Sequence, residues 1–276
     1  MKHKTKIAII GHGFVGKAVD YGFTHTDIEK HIVDPLYGTT IEELPACNYY
    51  FVCVPTPFGD DGSIDTSILD DVMEKLTAKN GIIIVKSTVT PDVITKWNNH
   101  IVYNPEFLTE RSANSDFVNP DFHIFGGFEV YTDEVERLYK DYSLCKPCPA
   151  YHMSLQEASF VKYTINSFLA MKVLFFNQLY DAVGDTSANF ATIIKAVGSD
   201  GRIGSSHTSV PGHDGRQGYG GACFPKDTSA FVNYSNRLTL IEKCIEINNT
   251  YRSQYELDER EKAQNVIYNG QTKKEF

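Results

Sequence analysis

No apolar run in this 276-residue sequence approaches the roughly 18 residues that a membrane-spanning helix needs, so we expect no membrane span. Basic residues are outnumbered by acidic ones, and the net charge of −9 argues against a nucleic-acid partner held by a general positive field. Glycines interrupt the N-terminal apolar stretch, unlike a signal peptide. The composition, 42% hydrophobic and 22% charged, predicts a soluble globular protein, which we expect in the cytoplasm.

The sequence also lacks the paired cysteines of a disulfide scaffold. Its six cysteines are scattered, and only "CKPC" at 145–148 has C-x-x-C spacing. A zinc site would need a second such pair, and a redox motif should open a helix, whereas Pro147 and Pro149 predict a loop. We therefore expect neither a metal nor a disulfide, and a reducing compartment.

The first glycine-rich segment predicts a dinucleotide site. The apolar run "KIAII" at 6–10 reads as a buried strand, and "GHGFVG" follows it with Gly11, Gly13 and Gly16 in G-x-G-x-x-G spacing before a helical stretch. Asp34 ends the next predicted strand, where it would accept from a ribose 2′-hydroxyl and favour NAD over NADP. The glycine pattern alone also fits a strand–turn–helix without a ligand, but strand, helix and acid together favour a cofactor.

Further apolar runs extend this domain. The segments 49–57, 81–91 and 100–108 each end in polar, proline-containing turns, and 67–81 has the apolar spacing of an amphipathic helix. Alternating strands and helices predict an α/β fold with a doubly wound parallel sheet over residues 1–152. Because ligands bind at the carboxyl ends of such strands, "VPTP", "KSTV" and "NPEFLTE" are expected to face the site.

The second half predicts an all-helical domain over residues 153–276. A capping box, Ser154-x-x-Glu157, precedes a helix expected over 154–183, and a second helix is expected over 186–198. Lys162 and Asn166 share one stripe of the long helix. Lys162 is either a lysine that reaches back to solvent or a site residue, and Asn166 favours the latter. A glycine-rich loop over 199–227 and helical sequence to about Tyr268 follow.

That loop contains "GYGGACFPKD" at 218–227, and its Cys223 has two interpretations. A lone cysteine is usually a small buried apolar residue. Here three glycines precede it, and a lysine and an aspartate lie within one turn after it. A nearby cation or helix N-terminus lowers a thiol pKa from about 8.5, so these neighbours would suit a nucleophile, and both interpretations of Cys223 are open at this point.

Several segments together resemble the UDP-glucose/UDP-mannose dehydrogenase family. The resemblance covers residues 6 to about 268 and rests on "GHGFVG", "VPTP", "KSTVTP", "NPEFLTE", "VKYTINSFLAMKVLFFNQ", "GRIG" and "GYGGACFPKD", in the family's order. The last of these is highly specific. The resemblance implies oxidation of a UDP-sugar C6 alcohol to the acid with two NAD⁺, through a cysteine thiohemiacetal and thioester, in a homodimer formed through the long helix.

The resemblance also implies roles for individual residues. Cys223 would be the nucleophile, Lys162 and Asn166 would stabilise the oxyanion, Asp227 and Thr88 would position water, and Glu110 would be the general base. The substrate would contact Glu106, Phe107, Leu108, Arg202, Tyr219 and Gly220, with Arg202 reaching it from a neighbouring subunit. The cofactor would contact Gly11, Gly13, Phe14, Val15, Gly16, Asp34, Pro55, Thr56, Thr88 and Lys226.

Two departures from the family pattern are visible. Thr109 stands where the family usually has arginine in "NPEFLTE". The family's third, UDP-gripping domain is expected to be absent, because the sequence ends where it should start. Two other functions stay open: a two-domain hydroxyacid dehydrogenase of the 3-hydroxyisobutyrate kind, which needs no cysteine, and a non-catalytic protein that binds NAD or a nucleotide sugar.

Overall fold

The computed structural model describes residues 4–97 and 100–268, which form two compact units. The first unit contains the chain up to Thr56 and from Asp65 to Lys162, and the second contains Pro57–Ile64 and the chain from Tyr163 onward. The predicted boundary lay at residue 152. The chain instead passes from the first unit to the second within a long helix, and the 57–64 loop belongs to the second unit.

The first unit is built on a seven-stranded sheet. Its strands are β1 (Thr5–Ile10), β2 (Ile28–Val33), β3 (Tyr49–Val52), β4 (Ile82–Val85), β5 (Ile101–Tyr103), β6 (His123–Gly127) and β7 (Ala150–Met153). They lie in the order β2-β1-β3-β4-β5-β6-β7. Neighbours pair in parallel except β5 and β6, which are antiparallel. The predicted α/β fold with a doubly wound parallel sheet is confirmed; the sheet is mostly parallel, and its one antiparallel pair among the described strands is β5 with β6.

In the described part of this unit, five helices connect the strands: α1 (Phe14–Gly22), α2 (Ser67–Leu76), α3 (Pro91–Ile94), α4 (Ala113–Val118) and α5 (Glu129–Tyr142). The amphipathic helix predicted over 67–81 corresponds to α2, which buries Leu69, Val72, Met73 and Leu76. The core between sheet and helices is apolar and aromatic, and Phe23, Phe51 and Phe125 are fully buried in it. Buried apolar strands of this kind hold the loops at their carboxyl ends in fixed positions.

The long helix, α6 (Leu155–Gly184), begins at the predicted capping box. The Ser154 backbone N–H donates to Glu157 Oε2 (2.8 Å), and the Glu157 N–H donates back to Ser154 Oγ (3.2 Å). These bonds satisfy N–H groups that a helix start leaves without partners. The helix ends one residue later than predicted, at Gly184.

The second unit is helical, as expected. After α6 come α7 (Phe190–Gly198), α8 (Phe224–Tyr234), α9 (Thr239–Arg252) and α10 (Glu259–Ala263). The prediction of helix from residue 186 was wrong, because the Asn189 side chain caps α7 by accepting from the Thr192 N–H. The glycine-rich loop ends at Cys223 instead of residue 227, since α8 begins at Phe224. None of the helices among the described residues combines the length and apolar character that a membrane crossing requires.

Candidate active site

The first glycine-rich loop joins β1 to α1 and has the shape that its glycines allow. Gly11 has φ +86°, and a Cβ there would lie 2.7 Å from the Cys53 carbonyl oxygen. A Cβ on Gly16 would lie 2.0 Å from the Gly11 carbonyl oxygen, so this glycine lets α1 pack against the loop. A Cβ on Gly13 would meet nothing within 4 Å. The folded chain therefore requires Gly11 and Gly16, and Gly13 leaves open space in front of α1.

This open space fits a dinucleotide phosphate. Gly13 is the N-cap of α1 and no side chain caps that helix end, so its N–H groups and dipole favour an anion. Asp34 follows β2 and is 9% exposed. Its Oδ2 accepts from the His12 N–H (2.6 Å) and its Oδ1 from the Leu36 N–H (2.9 Å), which fixes the carboxylate beside the loop. Carboxylate oxygens can accept more than one hydrogen bond, so a ribose hydroxyl can still be bound.

Of the other residues predicted to contact the cofactor in this unit, Pro55, Thr56 and Thr88 lie in the loops after β3 and β4. Pro55 is exposed, whereas Thr56 is buried and its hydroxyl donates to the Thr88 carbonyl oxygen (2.8 Å). Phe14 and Val15 are half-buried at the start of α1. The two loops are thus joined to each other by a direct hydrogen bond at the carboxyl edge of the sheet.

The "NPEFLTE" segment after β5 contains a buried ion pair. Lys162 Nζ donates to the Glu106 carbonyl oxygen (2.6 Å) and lies 3.2 Å from Glu106 Oε1, and both residues are less than 10% exposed. Glu106 Oε2 accepts from the Leu108 N–H (2.7 Å). The ammonium also lies 5.3 Å from the centroid of the Phe107 ring. The structure therefore gathers Lys162 and three predicted substrate-contacting residues in one place.

A cavity of about 290 Å³ adjoins this segment, with Glu106, Phe107, Leu108 and Lys86 among its lining residues. Thr109 also lines it, whereas Glu110 lies just beyond it, exposed at the start of a short 3₁₀ helix, Glu110–Ser112. The structure thus gives a pocket to the predicted sugar-binding segment, and Glu110, the predicted general base, is not among the residues that line it.

Lys86 is a feature of this pocket that the sequence reasoning missed. It is 4% exposed, and its Nζ donates to the Asn104 carbonyl oxygen (3.0 Å) and Asn104 Oδ1 (2.8 Å). Asn104 Oδ1 also accepts from the Tyr139 hydroxyl (2.7 Å). Burial lowers the pKa of Lys86 to about 8. The available signal was a lysine directly after the apolar run "GIIIV", where a buried cation needs fixed acceptors.

In the second unit, Cys223 is the N-cap of α8 and is half-buried. All six cysteines lie in the described part of the chain, and none forms a disulfide. The Cys223 carbonyl oxygen accepts from the Asp227 N–H (2.8 Å), the first turn of a helix of eleven residues. A helix N-terminus stabilises negative charge, which suits a thiolate at this position.

Three predicted catalytic or cofactor residues form a buried chain next to this helix start. Lys226 Nζ lies 2.6 Å from Asp227 Oδ1, and Asp227 Oδ2 accepts from Asn166 Nδ2 (2.6 Å). All three are less than 10% exposed. The pairing offsets the cost of burying two charges, and it fixes the Asn166 amide to α8. Asn166 thus donates to a carboxylate here, a partner that the sequence reasoning did not assign.

A charged cluster that the sequence reasoning missed holds the "GYGG" loop. Arg252 is 1% exposed, and its Nη2 donates to Glu261 Oε1 (2.8 Å) while its Nη1 donates to Asp214 Oδ2 (2.8 Å). Glu261, fully buried, also accepts from the Gly221 N–H (3.2 Å). The capping box Asp258-x-x-Glu261 was a visible signal for α10, but nothing local pointed to its partner Arg252.

The remaining predicted substrate residues differ in exposure. Tyr219 is buried, and its backbone N–H and carbonyl pair with the Asn248 side-chain amide. Gly220 packs against Arg252. Arg202 is exposed and its guanidinium pairs with Asp200 (2.7 Å). In this single chain Arg202 therefore faces solvent, where a second copy would have to meet it for the predicted role.

The two-unit plan, a Rossmann-like sheet followed by a helical unit with this cysteine loop, is that of a dinucleotide-dependent dehydrogenase. The NAD-binding domain of the UDP-glucose/GDP-mannose dehydrogenase family matches residues 35–143, and the central domain of that family matches residues 156–250. The chain belongs to this family, and NAD is the cofactor of its first unit.

Comparison with individual relatives agrees with this family assignment. UDP-glucose 6-dehydrogenase of Campylobacter jejuni is 30% identical, over 88% of this chain and 72% of the relative. UDP-glucose 6-dehydrogenase YwqF of Bacillus subtilis is 27% identical, over 90% of this chain and 66% of the relative. The structure of a UDP-glucose dehydrogenase from Pyrobaculum islandicum superposes with a TM-score of 0.76 at 27% identity, covering 90% of this chain and 68% of that one. The chain thus spans about two thirds of the length of these relatives.

Proposed function

We propose that the protein oxidises the C6 alcohol of a UDP-sugar to the carboxylate in two NAD-dependent steps, with Cys223 as the nucleophile. The observation that carries the proposal is the start of α8. There the cysteine occupies the N-cap position of a helix, Lys226 and Asp227 follow it within one turn, and Asp227 accepts a hydrogen bond from Asn166 of α6. A purely structural cysteine requires neither the helix end nor the charged chain beside it.

NAD⁺, when bound, supplies the oxidising power of both steps by taking up two electrons and a proton as hydride each time. Cys223 performs the covalent chemistry: its thiolate adds to the C6 aldehyde and forms a thiohemiacetal, whose oxidation gives a thioester. Water then releases the acid and regenerates the thiol. A cysteine at a helix N-terminus is suited to this role because the free N–H groups favour its anionic form.

Polar residues would stabilise and activate the oxygen atoms of these steps. Lys162 and Asn166 act as donors for the developing oxyanion, since preorganised donors lower the barrier most where charge appears. Thr88 and Asp227 orient the attacking water. Glu110 is the base for thioester hydrolysis, and its exposed position lets it exchange protons with solvent.

The substrate class follows from the relatives, and UDP-glucose is the first candidate. Glu106, Phe107 and Leu108 would contact the sugar, in line with the 290 Å³ cavity that they border. Tyr219 and Gly220 would approach it from the loop before Cys223, and Lys226 would lie at the cofactor side.

The test is a panel of UDP-sugars with NAD⁺, in which NADH is counted per sugar consumed. We expect two NADH per sugar for the preferred substrate. Cys223→Ser should stall at the aldehyde or hemiacetal stage, whereas Cys244→Ser, a half-buried cysteine on α9, should behave like the wild type. One NADH per sugar, or none, would count against the proposal. Full activity of Cys223→Ser on a 3-hydroxyacid would instead favour the hydroxyacid dehydrogenase.

We also propose that two copies associate through α6 and α7. Phe168 and Phe175 on α6 are 61% and 62% exposed. The sequence of α7, "FATIIKAVG", is strongly apolar, yet none of its residues is buried. Such apolar helix faces are usually covered by a partner. Phe168→Glu with Phe175→Glu should give a monomer by sedimentation, while Phe128→Glu, equally exposed on the first unit, should not change the mass.

A further inference from the structure

His12 lies between Gly11 and Gly13 in the first glycine-rich loop, and the proposed chemistry assigns its side chain no role. It is 9% exposed, and both ring nitrogens have partners in the first unit: Nδ1 lies 3.0 Å from the Tyr37 hydroxyl, and Nε2 lies 3.2 Å from Asp20 Oδ2. A carboxylate only accepts, so Nε2 carries a proton, and in the neutral ring Nδ1 then accepts from the Tyr37 hydroxyl. The imidazole is therefore held in one orientation inside the cofactor loop.

Tyr37 connects this histidine to the predicted ribose-binding residue. It ends a 3₁₀ helix, Pro35–Tyr37, whose N-cap is Asp34. Tyr37 is 54% exposed, so packing alone does little to fix its side chain, and its ring centroid lies 5.6 Å from that of His12. His12 holds both ends of the Asp34–Tyr37 turn, because its backbone N–H donates to Asp34 Oδ2 (2.6 Å) and its ring bonds to the Tyr37 hydroxyl.

Asp20 fixes the other side of the ring. It lies on α1, and its carboxylate also pairs with Lys30 of β2, whose Nζ donates in addition to the Asp20 carbonyl oxygen (2.8 Å). The side chains of Asp20, His12 and Tyr37 thus form a chain of hydrogen bonds that crosses the cofactor loop. This chain ties the segment after β2 to α1, the helix that the loop precedes.

A binding group that is already in position loses less conformational freedom when its ligand arrives, and this raises affinity. We propose that His12 is a positioning residue for the cofactor: through Tyr37 it fixes the Asp34–Tyr37 turn in the position from which the Asp34 carboxylate binds the adenosine ribose of NAD. The inference rests on the proposed placement of that ribose at Asp34 and is independent of the chemistry at Cys223. Its consequence is that the ring of His12 contributes to the affinity for NAD and to the preference for NAD over NADP.

The experiment measures the affinity of the full chain for NAD⁺ and for NADP⁺ by calorimetry. We expect His12→Ala to weaken NAD⁺ binding about fivefold, which corresponds to one lost hydrogen bond. NADP⁺ binding should weaken less, because an Asp34 carboxylate that is less firmly held also repels the 2′-phosphate less. General damage to the loop would weaken the binding of both cofactors by the same factor, and thermal unfolding without cofactor measures the cost to the fold separately.

Two amide variants test which ring nitrogen matters. An asparagine side chain can place an amide atom near the position of Nδ1, and a glutamine side chain can place one near that of Nε2. His12→Asn can therefore still bond to Tyr37 and should retain most of the NAD⁺ affinity, whereas His12→Gln bonds toward Asp20 and should behave like His12→Ala. Tyr37→Phe should weaken NAD⁺ binding as His12→Ala does, and the two changes together should weaken it no further.

His31→Ala is the matched control. His31 is a half-buried histidine of β2 whose ring also bonds to a carboxylate, that of Glu29 (2.9 Å). This variant should bind both cofactors like the wild type. Asp34→Asn tests the placement of the ribose, and it should weaken NAD⁺ binding at least as much as His12→Ala does.

If Asp34→Asn weakens NAD⁺ binding but His12→Ala or Tyr37→Phe does not, His12 does not position the turn. Equal losses of NAD⁺ and NADP⁺ affinity in His12→Ala, or equal affinities in His12→Asn and His12→Gln, would also overturn the proposal. If Asp34→Asn binds NAD⁺ as the wild type does, the ribose lies elsewhere and the inference fails together with that placement. The readout is binding and not turnover, so an inactive Cys223 would leave every one of these results unchanged.

Discussion

The chain has two glycine-rich loops that lead into a helix, Gly11–Gly16 and Gly218–Gly221, and they are held in different ways. The first is shaped by backbone: the Gly11 N–H donates to the Val33 carbonyl oxygen (2.8 Å), and a Cβ on Gly16 would collide with the Gly11 carbonyl. These partners belong to neighbouring strands and to the loop itself. Its shape thus follows from the local strand–turn–helix arrangement.

The second loop is shaped by side chains from far along the sequence. A Cβ on Gly218 would lie 2.6 Å from Asn248 Oδ1, and one on Gly220 would lie 1.6 Å from Arg252 Nη2. Glu261 links the loop to this arginine. Glycine thus serves two purposes in this chain. In the first loop the missing side chain lets backbone atoms approach closely, and in the second loop it leaves room for a buried guanidinium.

The largest expected effect is a fall in the free energy of unfolding when the charged cluster that holds the second loop is lost. Arg252→Ala leaves Glu261 buried without its main cationic partner, and removing one partner of a buried ion pair costs about 3–5 kcal/mol. We expect the free energy of unfolding of the second unit to fall by this amount in urea titrations. Arg202→Ala removes an exposed arginine that also pairs with an aspartate and should be without measurable effect. Equal losses in the two variants would show that the cluster does not hold the loop.

The next effect concerns the backbone contacts of the first loop. Gly16→Ala places a methyl group 2.0 Å from a carbonyl oxygen that cannot move freely, and such overpacking costs about 1–3 kcal/mol. Thermal unfolding of the variant should begin at a lower temperature than that of the wild type. An unchanged melting temperature would mean that α1 shifts without cost, and that Gly16 is not a packing requirement.

Within the same loop, Gly13→Ala separates the effect on cofactor binding from the effect on folding stability. The added methyl meets nothing within 4 Å, and φ −69° suits alanine, so stability should stay at the wild-type value. NAD affinity should fall about tenfold, which is about 1.4 kcal/mol, because the methyl occupies the space proposed for the phosphates. Calorimetry with NAD⁺ measures this directly. Wild-type affinity in Gly13→Ala would place the cofactor phosphates elsewhere.

The contrast also explains what the sequence could predict. The first loop was readable because its strand, glycines, helix and Asp34 lie within one short stretch whose spacing reflects local geometry. Cys223, Lys226 and Asp227 were also readable as a group, since they lie within one turn of helix. Arg252 and Glu261 were not, because side chains that meet only through tertiary packing leave no periodic signal. β6 was missed for a related reason: its residues, "HIFGG", lack a long apolar run and pair antiparallel with β5.

The smallest expected effect is a loss of folding stability at acid pH that originates in the second loop. Burial acts to raise the pKa of Glu261, but hydrogen bonds from Arg252, the Asp258 N–H and Tyr268 outweigh it and hold this pKa below its ordinary value. A carboxyl group with a lowered pKa stabilises the fold above its unfolded pKa of about 4.3, and this contribution is lost as the pH falls through the folded value. The wild type should therefore lose stability from about pH 4.3 downward.

Glu261→Gln keeps an acceptor for Gly221 but has no proton to take up, so this part of its pH dependence should be absent. Urea unfolding at pH 6 and at a series of lower values measures the difference between the variant and the wild type. Glu259→Gln, on the same helix and exposed, is the matched control and should follow the wild-type curve. If Glu261→Gln also follows that curve, ionisation of Glu261 does not stabilise the loop, and its contribution reduces to that of a neutral hydrogen-bond acceptor.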